Sequence, residues 1–359
     1  MKIALLGFPL DSNYGSSVQR YALVKVLSDM GHEPVHLYTR YTWPVPGRRP
    51  LKVLLGRMLK KIKGEPTVDV FYEYNRWKEY NKEVTVASSF HSRNIRHTVR
   101  IEAAGALKLF RHFDAYIVGP GQVWRRSQVT RFPYSSMFLS FVKNLKGVKR
   151  IAYGVSFGTG ENELPDSDLN AVTPLYRLFD AVSVREESAL SMLEGYGWTD
   201  PRAEVVLDPL FLPGRQVYED LISKGVTHHV AGDMFCYMVD PDDDKAQYIL
   251  ANEGRHKPFF VSPSLENRSS VEQWLRSFRD ADIVVTDSYC GLVFSLIFNK
   301  PFKLFLNEKR GNERFASLLN LLGITRDGQQ DWDAVNARIE ELRARSLAFL
   351  KNALENRAQ

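Results

Sequence analysis

The chain has 359 residues, 44% of them hydrophobic and 25% charged, and a formal net charge of +6. That length exceeds one ordinary core, so two domains are expected, and the composition excludes collagen-like, low-complexity and disordered classes. The mild basic excess suits an anionic partner, whether a phosphorylated or carboxylated substrate, nucleic acid or a membrane surface. No motif for reading DNA or RNA accompanies it, so no nucleic-acid partner is expected. The two cysteines, Cys236 and Cys290, are too few for a disulfide framework, and they fit a reducing cytoplasm.

Lys2–Gly7 is short and apolar and ends in a polar loop, so it reads as a first strand and not as a signal peptide. A polar turn, Asp11–Ser17, leads into a helical pattern over Val18–Met30, and Gly31 is placed to stop it. Glu33–Leu37 resumes as a strand. This order opens a doubly wound α/β domain. Arg48–Gly64 is basic and amphipathic, with Leu51, Leu54, Leu55, Met58, Leu59 and Ile62 among lysines and arginines. It reads either as a helix touching a membrane or anionic partner, or as a solvated surface helix. The aromatic run Phe71–Tyr80 either covers this region or lines an acceptor groove.

Four further strands, Ala115–Val118, Arg150–Tyr153, Ala181–Val184 and Glu204–Leu207, each end in a glycine-containing, polar or charged turn. Ligands of open α/β sheets gather at such carboxyl ends. Leu212–Gly225 reads as a linker. A second series follows: strands Met234–Val239, Pro258–Val261, Ile283–Val285 and Phe302–Leu306, with helices Val271–Phe278 and Leu292–Phe298. A last amphipathic helix, Trp332–Ala353, has Asp331 as its N-cap. The expected domains are 1–212 and 213–359, two Rossmann-like lobes facing a central cleft. No uninterrupted apolar stretch is long enough to span a bilayer.

Three segments carry chemistry. At Thr286–Gly291 a buried strand turns into a helix, where amide N–H groups and the helix dipole favour an anion; the alternative is plain capping by Thr, Asp and Ser. Arg185, just past a strand, suits a carboxylate or phosphate; its alternative is an ion pair with Glu186. The small residues of the Asn13–Arg20 loop permit close backbone approach, although the loop is neither a GxGxxG fingerprint nor a P-loop. Asp240–Lys245 reads as a Mg²⁺ or sugar-nucleotide site or as a solvated turn opening a helix. No Ser-His-Asp order, zinc-like cluster or kinase set is present.

Taken in order, Asn13–Gln19, Gly119–Trp124, Ile151–Phe157, Val182–Glu187, Leu207–Pro209, Thr286–Ser295 with Asn299–Phe302, Arg310–Arg314 and Leu318–Gly323 resemble the polysaccharide pyruvyltransferase family, over about residues 1 to 350. The resemblance implies a glycosyltransferase-B-like fold and transfer of pyruvate from phosphoenolpyruvate to a glycan or lipid-linked sugar acceptor. The usual product is a ketal in a capsule, exopolysaccharide or cell-wall glycan. No cofactor or metal is expected, and cysteine usage places the enzyme in the cytoplasm; on its membrane-touching reading, the basic stretch 48–64 would contact the inner membrane face. By resemblance Arg185 and Cys290 take the catalytic positions. Asn13, Tyr14, Gly15, Ser16, Gln122, Arg185, Thr286, Ser288, Gly291 and Arg314 surround the donor. Two positions depart from the family pattern: Cys290 stands where a histidine is common, and Gly121 where an aspartate is. Two alternatives therefore stand beside the pyruvyltransferase reading: a transferase on the same scaffold using a nucleotide sugar or other activated donor, and a non-catalytic member of a glycan assembly system.

Overall fold

A computed structural model describes residues 1–8, 12–38, 55–59, 61, 72–101, 104–129, 133–230, 232–261, 269–306, 311–326 and 330–355. The first sheet contains β1 (Lys2–Leu6), β2 (Glu33–Tyr38), β3 (Thr98–Arg100), β4 (Ala115–Val118), β5 (Lys149–Val155), β6 (Ala181–Val184) and β7 (Glu204–Val205). Their order across the sheet is β3-β2-β1-β4-β5-β6-β7, and every pairing is parallel. The second sheet runs β11-β10-β8-β9, from β8 (Met234–Tyr237), β9 (Pro258–Phe259), β10 (Ile283–Thr286) and β11 (Phe302–Leu304), again parallel. The central strands β4, β5 and β8 are short runs buried on both faces, as parallel sheets covered by helices require, while the edge strands β3, β7 and β9 are partly exposed.

The helices used below are α1 (Tyr14–Asp29), α2 (Tyr72–Asn94), α3 (Asp166–Tyr176), α4 (Glu187–Gly195), α5 (Arg215–Lys224), α6 (Asp243–Asn252), α7 (Val271–Asp280), α8 (Tyr289–Ile297), α9 (Glu313–Leu322) and α10 (Trp332–Glu355). Their ends follow local chemistry. The Asn13 side chain accepts from Ser16 N and caps α1, and Gly31, at φ +83°, ends the same element. Ser270 caps α7 through Gln273 N, and Asp242 caps α6 through Lys245 N.

Two expectations change, and a third falls largely outside the described residues. Residues 212–225 are not a linker loop, because Arg215–Lys224 forms α5; Tyr218, Leu221 and Ile222 fall on one helical face and are buried. The second half of α10 packs on the first sheet, where Phe349, Leu350, Ala353 and Leu354 share a core with Ile3, Leu5 and Leu27. Ser346 accepts from Leu207 N at 2.9 Å there. Of 48–64, only 55–59 and 61 are described; 55–59 is helical and exposes Leu55, Met58 and Leu59 at 55%, 44% and 57%.

The lobes meet through a shared apolar core. Tyr14, Val18 and Phe90 of the first pack with Trp274, Phe278 and Phe294 of the second. The Tyr14 ring lies 5.8 Å from that of Trp274, and its hydroxyl donates to Ser269 O at 2.5 Å. Among the described residues no helix is long and apolar enough to cross a membrane.

Candidate functional site

β6 delivers Arg185 to the carboxyl end of the first sheet. Its Nη1 donates to Asp208 Oδ2 at 2.7 Å, and both side chains are sealed from solvent. Asp208 lies just past β7, where its Oδ1 accepts from Leu210 N at 3.1 Å and caps a short turn. Gln19 of α1 donates to the same Oδ2 at 2.6 Å. Asp208 is therefore a buried carboxylate held by two side chains and a backbone N–H, the arrangement that makes a buried charge tolerable. It fixes the Arg185 guanidinium, yet among the described residues Arg185 Nε has no partner. The expected alternative for Arg185, pairing with Glu186, gives way to Asp208.

The second lobe closes over this arginine. The Tyr289 ring centroid is 5.2 Å from Arg185 Cζ and 5.3 Å from Arg314 Cζ, so two guanidinium groups lie within cation–π distance of one ring. Burial, and then the charge of Arg185, pulls Arg314 down to about 10. Burial opposes the charge on Arg185 as well, but Asp208, with Tyr289 and Glu186 adding to it, more than offsets burial and drives its pKa up. Two cations this close and this buried favour an added anion.

Two helix starts converge on the same place. A Cβ placed on Gly15, in the first turn of α1, would lie 2.4 Å from Cys290 Sγ in the first turn of α8. Only glycine lets the two N-termini approach so closely. Half-buried Cys290 is the contact point. Burial, reinforced by Asp208, pushes its thiol up to about 12, so it carries its proton at neutral pH and is not a thiolate.

The Thr286–Gly291 turn divides into structural and available groups. Thr286 Oγ1 donates to Tyr237 O at 2.7 Å and accepts from Ser288 N at 3.0 Å. Gly291 is required beside it, since an added Cβ would come within 2.2 Å of that oxygen. Asp287 accepts from Val239 N at 2.6 Å, Asp240 N at 3.0 Å and Lys245 Nζ at 3.0 Å, which ties β10 to the end of β8. Ser288 N-caps α8, and its hydroxyl is buried with no hydrogen-bond partner among the described residues. Ser288 and the amides behind it are thus the part of the turn that Thr286 and Asp287 leave uncommitted.

On the first lobe, Tyr14 joins the lobes, while Asn13 and Ser16 form the α1 cap. Gln122 packs against Gly158, where an added Cβ would lie 2.5 Å from its amide. Trp124 is in the core, stacked on Phe138 at 4.8 Å. Gly121 has φ +110°, a conformation that L side chains rarely adopt, so the glycine at this departure from the family pattern matches its backbone. In the acidic run 240–244, Lys245 Nζ reaches Asp242 at 2.7 Å and Asp287 at 3.0 Å, and so fills the place of a cation. Among the described residues no group of three or more His, Cys, Asp or Glu is placed to hold a metal ion.

Two residues that the sequence reading left out of the site matter here, Asp208 and Glu186, the second named only as an ion-pair alternative for Arg185. Asp208 stood in the Leu207–Pro209 block but carried no role; its position after a strand was the signal. Glu186 is buried beside Arg185, and its Oε1 accepts from Phe157 N at 3.1 Å while Oε2 has no partner among the described residues. Burial, partly offset by Arg185, holds its carboxyl above the usual range.

Two parallel-sheet lobes with a cationic centre between them define a glycosyltransferase-B-like α/β protein. The family model of polysaccharide pyruvyl transferase matches residues 13–308, and the chain belongs to that family. Comparison with curated proteins gives no match. Among solved structures, a putative UDP-N-acetylglucosamine 2-epimerase from Listeria monocytogenes is 9% identical, with 99% of this chain and 96% of that one covered and a TM-score of 0.49. The UDP-GlcNAc 2-epimerase of Neisseria meningitidis bound to UDP-GlcNAc is 10% identical, with 98% and 94% covered and a TM-score of 0.46. The two-lobed class rests on the sheets themselves and not on these likenesses.

Proposed function

We propose that this chain transfers pyruvate from phosphoenolpyruvate to two hydroxyls of a glycan or lipid-linked sugar, forming a ketal. The observation that carries the reading is the meeting of Arg185, Arg314 and the N-termini of α1 and α8 at one buried point. A donor bearing a carboxylate and a phosphate calls for this set of ligands. The enol methylene takes a proton and becomes a methyl group, leaving an oxocarbenium-like C2. One sugar hydroxyl adds to C2 and gives up its proton. The C2–O bond to phosphate breaks with its electron pair, and the second hydroxyl closes the ring. One hydroxyl proton balances the methyl group, and the other leaves with phosphate.

Cys290 holds a protonated thiol where the family pattern has a histidine, so the acid lies elsewhere. We assign it to Glu186, whose carboxyl lies beside Arg185 and is biased toward its protonated form. We place the enzyme in the cytoplasm, with the exposed apolar residues of 55–59 at the inner membrane face.

The test is incubation of purified protein with phosphoenolpyruvate and a panel of galactoside, glucoside and mannosamine-containing acceptors. Acid-labile pyruvyl product and stoichiometric phosphate, both lost in Arg185→Ala, are expected. The absence of product together with no thermal shift by phosphoenolpyruvate would sink the reading. The Cys290 departure favours one rival, a transferase using a nucleotide sugar. Tighter binding of UDP, GDP or CMP sugars than of phosphoenolpyruvate would establish that rival. No turnover with any donor would leave the non-catalytic role.

A further inference from the structure

A second basic cluster lies beside the Arg185 site and has no part in the reaction above. His36 on β2 and His91 on α2 have ring centroids 5.7 Å apart. They are 3% and 4% exposed, and among the described residues neither nitrogen of either ring has a hydrogen-bond partner. Buried polar atoms without partners are costly, so four in one place point to a guest. Arg20 of α1 reaches the same region, where its Nη2 donates to Phe8 O at 3.0 Å.

Arg20 and His36 line a cavity of 30 Å³ together with Phe8, Ser16, Gln19 and Pro120. At roughly 10–15 Å³ for each water-sized occupant, that space takes the oxygens of one small group and not a sugar ring. It opens at the carboxyl ends of β1 and β4, the ligand-binding end of the sheet. Gln19 is a shared wall, because the side chain that lines the cavity also holds Asp208.

The charge decides what fits. The guanidinium of Arg20 disfavours a metal ion between the imidazoles. Burial, with Arg20 adding to it, holds both rings well below the ordinary histidine value, His91 at about 3. Both rings are therefore neutral groups with one N–H each, and the two basic side chains that line the cavity, His36 and Arg20, donate to an oxyanion.

We propose that His36 and Arg20, with the His91 ring packed next to His36, form an oxyanion pocket that takes a phosphate group of the sugar acceptor, one side chain away from the pyruvyl-transfer site. The word acceptor rests on the pyruvyltransferase reading; the oxyanion pocket itself does not. Full-length protein labelled with ¹⁵N-histidine tests it by imidazole NMR. Inorganic phosphate, a sugar 1-phosphate and phosphoenolpyruvate are titrated into wild type and Arg185→Ala, with the signals assigned through His36→Phe and His91→Phe. The ring nitrogens of His36 and His91 are expected to shift saturably with both phosphate and the sugar phosphate, in wild type and in Arg185→Ala. His36→Phe should weaken that binding about tenfold or more, the scale of one lost hydrogen bond to a charged group, and His91→Phe by less, since it acts through the His36 ring. Tighter binding of the sugar 1-phosphate than of inorganic phosphate supports the acceptor; the reverse order points to released phosphate and overturns it. No saturable shift with any of the three overturns the pocket, and the wild-type titration decides this even if a variant fails to fold. Failure of pyruvyl transfer alone would leave the histidine shifts intact, which separates the two ideas.

Discussion

Arg185 Nη1 stands 2.7 Å from Asp208 Oδ2, with side chains 3% and 0% exposed. A pair so enclosed contributes little net stability against an apolar replacement, but losing one partner strands the other charge. Here the pair has a positional effect: Asp208 holds one guanidinium nitrogen and leaves Nε without a partner among the described residues.

Asp208→Ala should therefore lower the unfolding free energy by about 3–5 kcal/mol, read by urea denaturation. The double variant Asp208→Ala with Arg185→Met should recover much of that loss, because no buried charge is stranded. A loss under about 1 kcal/mol in the single variant would show that water reaches the pair.

Thr286 and Ser288 separate stability from binding. Thr286→Val removes the bonds to Tyr237 O and Ser288 N and should cost about 1–3 kcal/mol of stability. Ser288→Ala removes a hydroxyl that has no hydrogen-bond partner among the described residues, so its melting temperature should hold. Its affinity for phosphoenolpyruvate, measured calorimetrically, should fall about three- to tenfold. Equal affinity in Ser288→Ala and wild type would remove Ser288 from the donor site.

The two departures from the family pattern should respond differently to reversal. Cys290→His places a group that titrates near neutrality at the start of α8, and pyruvyl product per enzyme should rise. Gly121→Asp puts a side chain at φ +110° and should cost about 1–3 kcal/mol, seen as a lower melting temperature and no added activity. A stable, more active Gly121→Asp protein would contradict this account of Gly121.

Glu186→Gln keeps an oxygen to accept from Phe157 N and Gly158 N but has no proton to give. In a pyruvyl-transfer assay kcat should drop about 10²- to 10⁴-fold with KM little changed, and one limb of the pH profile should vanish. An unchanged kcat would reduce Glu186 to an anchor for the loop after β5.

Acid should destabilise the fold through its buried histidines. His91 has a folded pKa of about 3 against an ordinary 6.5, lowered by burial and then by Arg20. Below 6.5 the unfolded chain takes up the proton and the folded one does not. Stability should thus fall by up to about 1.4 kcal/mol per pH unit for this group, from about 6.5 down to about 3. Denaturation curves across that range should be flatter for His91→Phe; identical slopes would place His91 in contact with water.

The repeated pattern of short apolar strands ending in polar turns determined the α/β class and put Arg185 and Ser288 at the ligand end of their sheets, because strand period and turn chemistry are local properties. Local sequence also foretold the Gly31 stop and the start of the terminal helix. Tertiary structure decided the rest. It chose Asp208 over Glu186 as the hydrogen-bonded partner of Arg185, since Glu186 Oε1 is taken by Phe157 N and Gly158 N while the turn after β7 brings Asp208 against the guanidinium. It committed Thr286 to Tyr237, turned the linker into α5, returned α10 to the first sheet, and set Gly15 against Cys290 across more than two hundred residues of chain. Those pairings depend on how the two lobes dock, and docking is set by the shared core around Tyr14 and Trp274, which no periodicity along the chain encodes.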